Sequence, residues 1–226
     1  MTPSRLRQIE LATQLAATEP KVRAIYVGTY IPRECGIATF TKDLTNAINV
    51  LNPRHLADIV VLDDESMGGD RLNYPWEVKY KIDQKSLKSF LEAADYINQS
   101  GADIVSIQHE FGIFGGKYGE YIVPFIDNIK KPVVVTYHTV LPTPNDQQKD
   151  IVVRISHKAN AIVVMVQTAA DRLMDVYGVD PKKIVVIPHG IHNVTLGPTQ
   201  SHKAVLGFAD KTLISGFGLI SRGKGY

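Results

Sequence analysis

The sequence predicts an α/β protein built on a doubly wound, mainly parallel sheet. Two observations carry this. Short runs rich in valine and isoleucine recur along the chain, and stretches of helical periodicity bounded by turn residues separate them, the alternation that builds strand–helix–strand units. The runs are also almost continuously apolar, as strands covered by helices on both faces are. They are VRAIYVG from Val22, ADIVVLD from Ala57, ADIVSIQ from Ala102, PVVVTYH from Pro132, AIVVMVQ from Ala161 and KIVVIPH from Lys183. WEVKYKI from Trp76 alternates instead and belongs near a sheet edge.

Between these runs the spacing predicts helices over residues 37–51, 84–99, 118–128, 147–158 and 168–177, with Gly178 a natural stop for the last. The opening SRLRQIELATQLAA sets Leu6, Ile9, Leu11 and Leu15 near helical spacing. From Asn193 to Lys211 the chain turns polar and loop-like before a short apolar run resumes at Thr212, the look of a domain boundary. Residues 1–195 therefore read as one domain. Residues 196–226 read as a linker followed by the start of another.

Composition narrows the function. The 226 residues are 44% hydrophobic and 21% charged, an ordinary globular balance. With 25 basic against 23 acidic residues, the net charge of +2 offers no electrostatic footprint for nucleic acid. Cys35 is the single cysteine, so no intrachain disulfide is possible and a reducing, cytoplasmic setting fits. No stretch approaches the roughly 18 apolar residues of a membrane-spanning helix, and the N-terminus lacks a signal-peptide core. The expectation is a cytoplasmic protein, soluble or peripheral to the inner face of the membrane. The N-terminal helix suits packing on the body better than lying on lipid, because its polar face carries only two arginines.

In a doubly wound sheet, ligands bind beyond the carboxyl ends of the strands, so the loops after the runs are where chemistry belongs. After the first comes GTYIPRECGIATFTKDL, with Gly36 at a helix start whose N–H groups can hold a phosphate or a sugar hydroxyl; a tight turn needing glycine is the alternative. Neither a G-x-G-x-x-G fingerprint nor a Walker loop is present. Cys35 is either an activated thiol at that helix end or a small buried side chain. QHEFGIFGGKYGEYI follows a later run and places His109 and Glu110 before Gly112, Gly115, Gly116 and Gly119. So many glycines imply a backbone that approaches something closely. His109 and Glu110 either position substrate hydroxyls and relay protons or cap the glycine loop. His138 and His189 also end strands, and three histidines facing one crevice favour function over structure. No metal site is expected. PHGIH offers only His189 and His192, and Asp63, Asp64 and Glu65 read as an acidic turn.

Taken together, TYIPRECGIATFTKDL, IQHEFGIFGG, TYHTVLPTP, KIVVIPHGIH and FGLISRGKG resemble the family-four glycosyltransferases of the GT-B fold, the retaining, mannosyltransferase and sucrose-synthase-like kind. The likeness spans nearly the whole chain. It implies two Rossmann-like domains facing each other across a cleft, the N-terminal one receiving a sugar or glycolipid acceptor and the C-terminal one gripping a nucleotide-sugar donor. That donor is a co-substrate, and no metal or other cofactor is expected. By the same likeness, His138 is the catalytic histidine near the reacting sugar. Gly36, His109, Glu110, Gly112, Gly115 and Gly116 are assigned to the acceptor, with Gly36 and its loop also near the donor phosphates, and His189, Gly190, Arg222 and Lys224 to the donor.

Two positions depart from the family pattern. Leu219 follows Gly218 where an arginine is usual, so only Arg222 can serve, and Cys35–Gly36 stands where paired glycines are common. The ending, Leu213 to Tyr226, resembles the first strand and phosphate turn of the donor domain. The resemblance therefore implies an incomplete, inactive piece whose terminal strand, lacking sheet partners, would be disordered, dock on an edge or pair with another molecule. The alternative readings are a non-catalytic carbohydrate-binding or partner-docking module and an unrelated nucleotide-binding Rossmann protein.

Overall fold

The computed structural model describes residues 22–64, 72–191, 194–195 and 197–216. The N-terminal helical spacing and the Arg222–Lys224 turn lie outside the described residues. The chain divides into two compact units, Met1–His189 and Gly190–Tyr226.

The first unit is a seven-stranded, wholly parallel sheet in the order β3-β2-β1-β4-β5-β6-β7. Its strands are β1 (Ala24–Gly28), β2 (Asp58–Asp63), β3 (Val78–Asp83), β4 (Ile104–His109), β5 (Val133–Tyr137), β6 (Ala161–Val164) and β7 (Ile184–Val186). The alternating run from Trp76 is β3 and lies at an edge, as its half-exposed pattern predicts. Strand order reverses between β1 and β4, which makes the crevice over their carboxyl ends the topological switch point.

Among the described residues, five α-helices connect the strands of this unit: α1 (Gly36–Leu51), α2 (Leu87–Gln99), α3 (Ile122–Asn128), α4 (Asp146–Lys158) and α5 (Gln167–Asp175). Two begin later than the periodicity predicts. Ser86 caps α2, its hydroxyl accepting from the Ser89 N–H, so Gln84 is left in the preceding turn. α3 starts at Ile122 because Tyr118 and Gly119 both take positive φ and cannot continue a helix. Asn145 and Gln148 form a capping box on α4, and Gly178, at φ +67, follows α5 as its stop.

The two sheet faces differ in kind. One carries Ile25, Val27, Val105, Ile107, Val133, Val135 and Tyr137 into the main core with Phe90, Phe114 and Phe125. The other sets Tyr26, Ile59 and Val61 against Leu44 and Ile48 of α1 in a smaller cluster. On that second face β4 contributes Ser106 and Gln108, since neighbouring strand residues point oppositely.

In the second unit, α6 (Thr199–Val205) is the helix among the described residues. Residues 212–216, where the sequence resumes an apolar run, are in neither helix nor strand.

Candidate functional site

The candidate site is built from the loops that follow the carboxyl ends of the strands. Beyond β1, Cys35 caps α1: its sulfur accepts from the Ala38 N–H at 3.3 Å and lies 3.1 Å from the Thr29 hydroxyl. The thiol therefore has a structural task. Gly36, the first residue of α1, is exposed, has no positive φ, and a Cβ there would meet nothing within 4 Å. Neither turn geometry nor packing asks for glycine at this place, so the tight-turn explanation loses its physical reason. The helix end is left open to solvent.

Phe40, one turn along α1, meets both candidate imidazoles on its side of the sheet. Its ring stands edge-on to His138 at 4.7 Å between centroids and to His189 at 5.3 Å. His138 follows β5, its N–H bonded to the His109 carbonyl at 3.0 Å, and its Nε2 lies 3.0 Å from Oε1 of the fully buried Gln108. Burial, with the neighbouring His189 adding to it, pushes His138 down to about 4, so its ring is neutral at pH 7.

His109 does not join them, which corrects the expectation of three imidazoles on one rim. It pairs with Tyr137 across β4 and β5 and so points into the main core, 0% exposed, against Phe111, Phe114 and Tyr137. Both ring nitrogens lack a hydrogen-bond partner among the described residues, and burial drives the ring down to about 3. The period-two pattern already held the reason: Val105, Ile107 and His109 share the apolar side of β4.

Glu110 parts company with His109. One carboxylate oxygen accepts from the Phe111 N–H at 3.0 Å and the other from the Thr139 hydroxyl at 2.5 Å, so it caps its loop and ties it to the loop after β5. The glycines beyond it approach their own chain closely. A Cβ on Gly115, at φ +67, would lie 1.9 Å from the Gln84 carbonyl oxygen, and one on Gly116, at the same φ, 2.8 Å from the Tyr121 ring. Gly112 is exposed with open space around it, while its carbonyl accepts from Gln84 Nε2 at 3.1 Å. Gln84 also accepts from Arg33 Nη1 at 3.2 Å, and Arg33 reaches the Leu62 carbonyl at 3.4 Å. Arg33, Phe40, Gln84 and Gln108 escape a reading by motif, although the polar alternation of Ser106 and Gln108 within an apolar strand is a signal for the last.

His189 is exposed and ends the first unit; Gly190 opens the second, and a Cβ on it would meet nothing within 4 Å. Among the described residues no three His, Cys, Asp or Glu side chains gather as a metal cluster would. No helix among them is long and apolar enough to cross a membrane.

Comparison with known proteins adds three findings. The model of Glycosyltransferase Family 4 matches residues 36–193, well over half of the chain. Among solved structures, Anabaena HepE in complex with UDP and glucose aligns at a TM-score of 0.60 and 12% identity over 90% of this chain and 55% of its own. A glycosyltransferase from Rickettsia africae aligns at 0.56 and 17% identity over 85% and 51%, and the apo lipopolysaccharide outer core galactosyltransferase WaaB at 0.51 and 12% over 75% and 46%. The chain thus spans about half the length of the structures it matches. At such identities the likeness shows the fold. No curated protein sequence matched.

Proposed function

This chain belongs to glycosyltransferase family 4, and on that premise we propose that it is the acceptor-side half of a retaining transferase that moves a sugar from a nucleotide-sugar donor. The observation that carries the reading is the placement of His138. It stands at the carboxyl end of β5 beside the switch point, held by Gln108 and flanked by Phe40 of the helix whose first residue is the open Gly36. That HepE was solved with UDP and glucose supports a nucleotide-sugar donor.

In this mechanism the open end of α1 approaches the donor diphosphate, its N–H groups offsetting negative charge where a divalent ion would otherwise be needed. His138, neutral at pH 7, orients a hydroxyl of the donor sugar and places its backbone carbonyl against positive charge developing at the anomeric carbon. The bond from the anomeric carbon to the leaving phosphate oxygen breaks as the acceptor oxygen bonds to the same face. The phosphate oxygen takes the acceptor's proton, so no protein base is required. Glu110, Gly112, Gly115 and Gly116 shape the acceptor side, and His109 contributes from beneath as packing. The donor side uses His189 and Gly190, with Arg222 and Lys224 contributing beyond the described residues.

The test is transfer of radiolabelled sugar from a panel of nucleotide sugars by the natural gene product and by these 226 residues alone. The natural product transfers and the 226 residues do not. His138→Ala lowers the natural product's turnover on the order of 10²-fold, the scale of one lost electrostatic stabiliser. Full activity in that variant removes His138 from the mechanism.

A further inference from the structure

We propose that Gln108 is a positioning residue that holds His138 as the Nε2–H tautomer, so that Nδ1 is left as a hydrogen-bond acceptor for a hydroxyl rather than as a cationic contact for phosphate. The family likeness assigns no role to Gln108, and the proposal arises from four observations. Gln108 is 0% exposed, so both ends of its amide must find partners inside the protein. Those partners are in line: Nε2 donates toward the Ser106 hydroxyl at 3.4 Å, and Oε1 faces His138 Nε2 at 3.0 Å. An amide oxygen only accepts, so the histidine nitrogen opposite it carries the proton. His138 Nδ1 makes no hydrogen bond among the described residues and is not among the buried unpaired atoms.

The amide is also mechanically confined. Gly28 lies under it, and even a Cβ at that glycine would meet Gln108 Cβ at 3.0 Å and the Thr41 hydroxyl at 3.7 Å. Thr41 is itself fixed on α1, donating to the Ile37 carbonyl at 2.8 Å. The His138 ring is in turn braced by Phe40 and by its backbone bond to His109. A ring held at one nitrogen and on one edge presents the other nitrogen in a fixed direction. A neutral imidazole with a bare Nδ1 selects a hydrogen-bond donor, which suits a sugar hydroxyl and disfavours a phosphate oxygen. That choice of ligand rests on His138 meeting the sugar, as proposed above, whereas the tautomer does not.

The experiment is nitrogen-15 NMR of histidine side chains in this chain at pH 7, with His138→Asn identifying the resonances. His138 is expected to show a protonated Nε2 and a bare Nδ1. Q108M, which keeps the volume and removes the acceptor, should yield a mixture of tautomers. Q108E, whose carboxylate can only accept, should keep the proton on Nε2. Circular dichroism confirms folding of each variant, and the wild-type spectrum decides even if both variants fail to fold. A wild-type His138 carrying its proton on Nδ1 overturns the proposal, as does a folded Q108M with unchanged tautomers or a Q108E that inverts them. A correct tautomer alongside full transfer by His138→Ala upholds the role of Gln108 and rejects the catalytic assignment of His138, so the two failures are distinguishable.

Discussion

Replacing His109 with leucine tests the deepest feature of the sheet. The side chains are similar in volume, and the pocket of Phe111, Phe114 and Tyr137 is apolar. At neutral pH the substitution removes two ring nitrogens that have no partner among the described residues. Exchanging unsatisfied polar atoms for apolar ones of like shape ranges from neutral to stabilising, here up to about 2 kcal/mol.

The acid limb is where the two proteins part. Burial lowers the folded-state pKa of His109 from 6.5 to about 3, so the fold favours the neutral ring. The unfolded chain therefore binds more protons below pH 6.5, and stability contributed by the neutral ring is lost as pH falls from there toward 3. At pH 4.5 the gap is about two pH units, equivalent to about 3 kcal/mol from this residue. That is a large share of a typical domain's 5–15 kcal/mol. The assay is urea unfolding followed by far-ultraviolet circular dichroism at pH 7.5, 5.5 and 4.5, comparing wild type with His109→Leu. Their difference cancels the titration of groups that do not interact with His109; His138, whose charge adds to the depression of His109, is the one coupled group. The variant should gain about 3 kcal/mol relative to wild type between pH 7.5 and 4.5. Parallel pH curves would refute the burial argument and mean that the ring finds a proton-accepting partner.

Two glycine comparisons separate structure from function. Gly115→Ala forces a Cβ to within 1.9 Å of the Gln84 carbonyl oxygen at positive φ and should cost about 3 kcal/mol in chemical unfolding, whereas Gly112→Ala, with open space and no such φ, should stay within about 1 kcal/mol; equal losses would mean the loop is not seated on Gln84. Gly36→Ala adds a methyl group to an open helix start and should leave unfolding unchanged or slightly harder. In the natural gene product it should lower sugar transfer by crowding the diphosphate, and unaltered kinetics would take the helix end out of the site.

Much of the fold was legible because parallel strands announce themselves by continuous apolarity and helices by their spacing. All six apolar runs became strands, and the alternating one became an edge. Helix starts were harder, since the delay at Leu87 depends on the Ser86 hydroxyl and that at Ile122 on backbone angles set by packing against Gln84 and Phe111. The histidines were legible as strand-end residues, but the expectation that all three face one crevice fails for His109. His109 follows Val105 and Ile107 into the core by simple alternation, while His138, one step past Tyr137, emerges on the other side. Phe40 had no signal at all. Only the folded sheet brings Phe40 of α1 to the histidine that follows β5.

The division of labour between the sheet faces explains why the polar site can sit so near the centre of a buried sheet. On the main-core side, Ile107, His109 and Tyr137 pack against aromatic rings, and even an imidazole is held neutral there. On the α1 side the same strand offers Ser106 and Gln108, whose amide would be expensive to bury beside an ordinary side chain with no room for its partners. Gly28 resolves this at the switch point. Because it ends β1 without a Cβ, Gln108 can lie between β1 and the Thr41 side of α1 and still reach both Ser106 and His138. A polar chain from inside the sheet to its carboxyl edge is then fixed by packing rather than by a mobile loop. The apolar face supplies the rigidity and the polar face directs it to one imidazole.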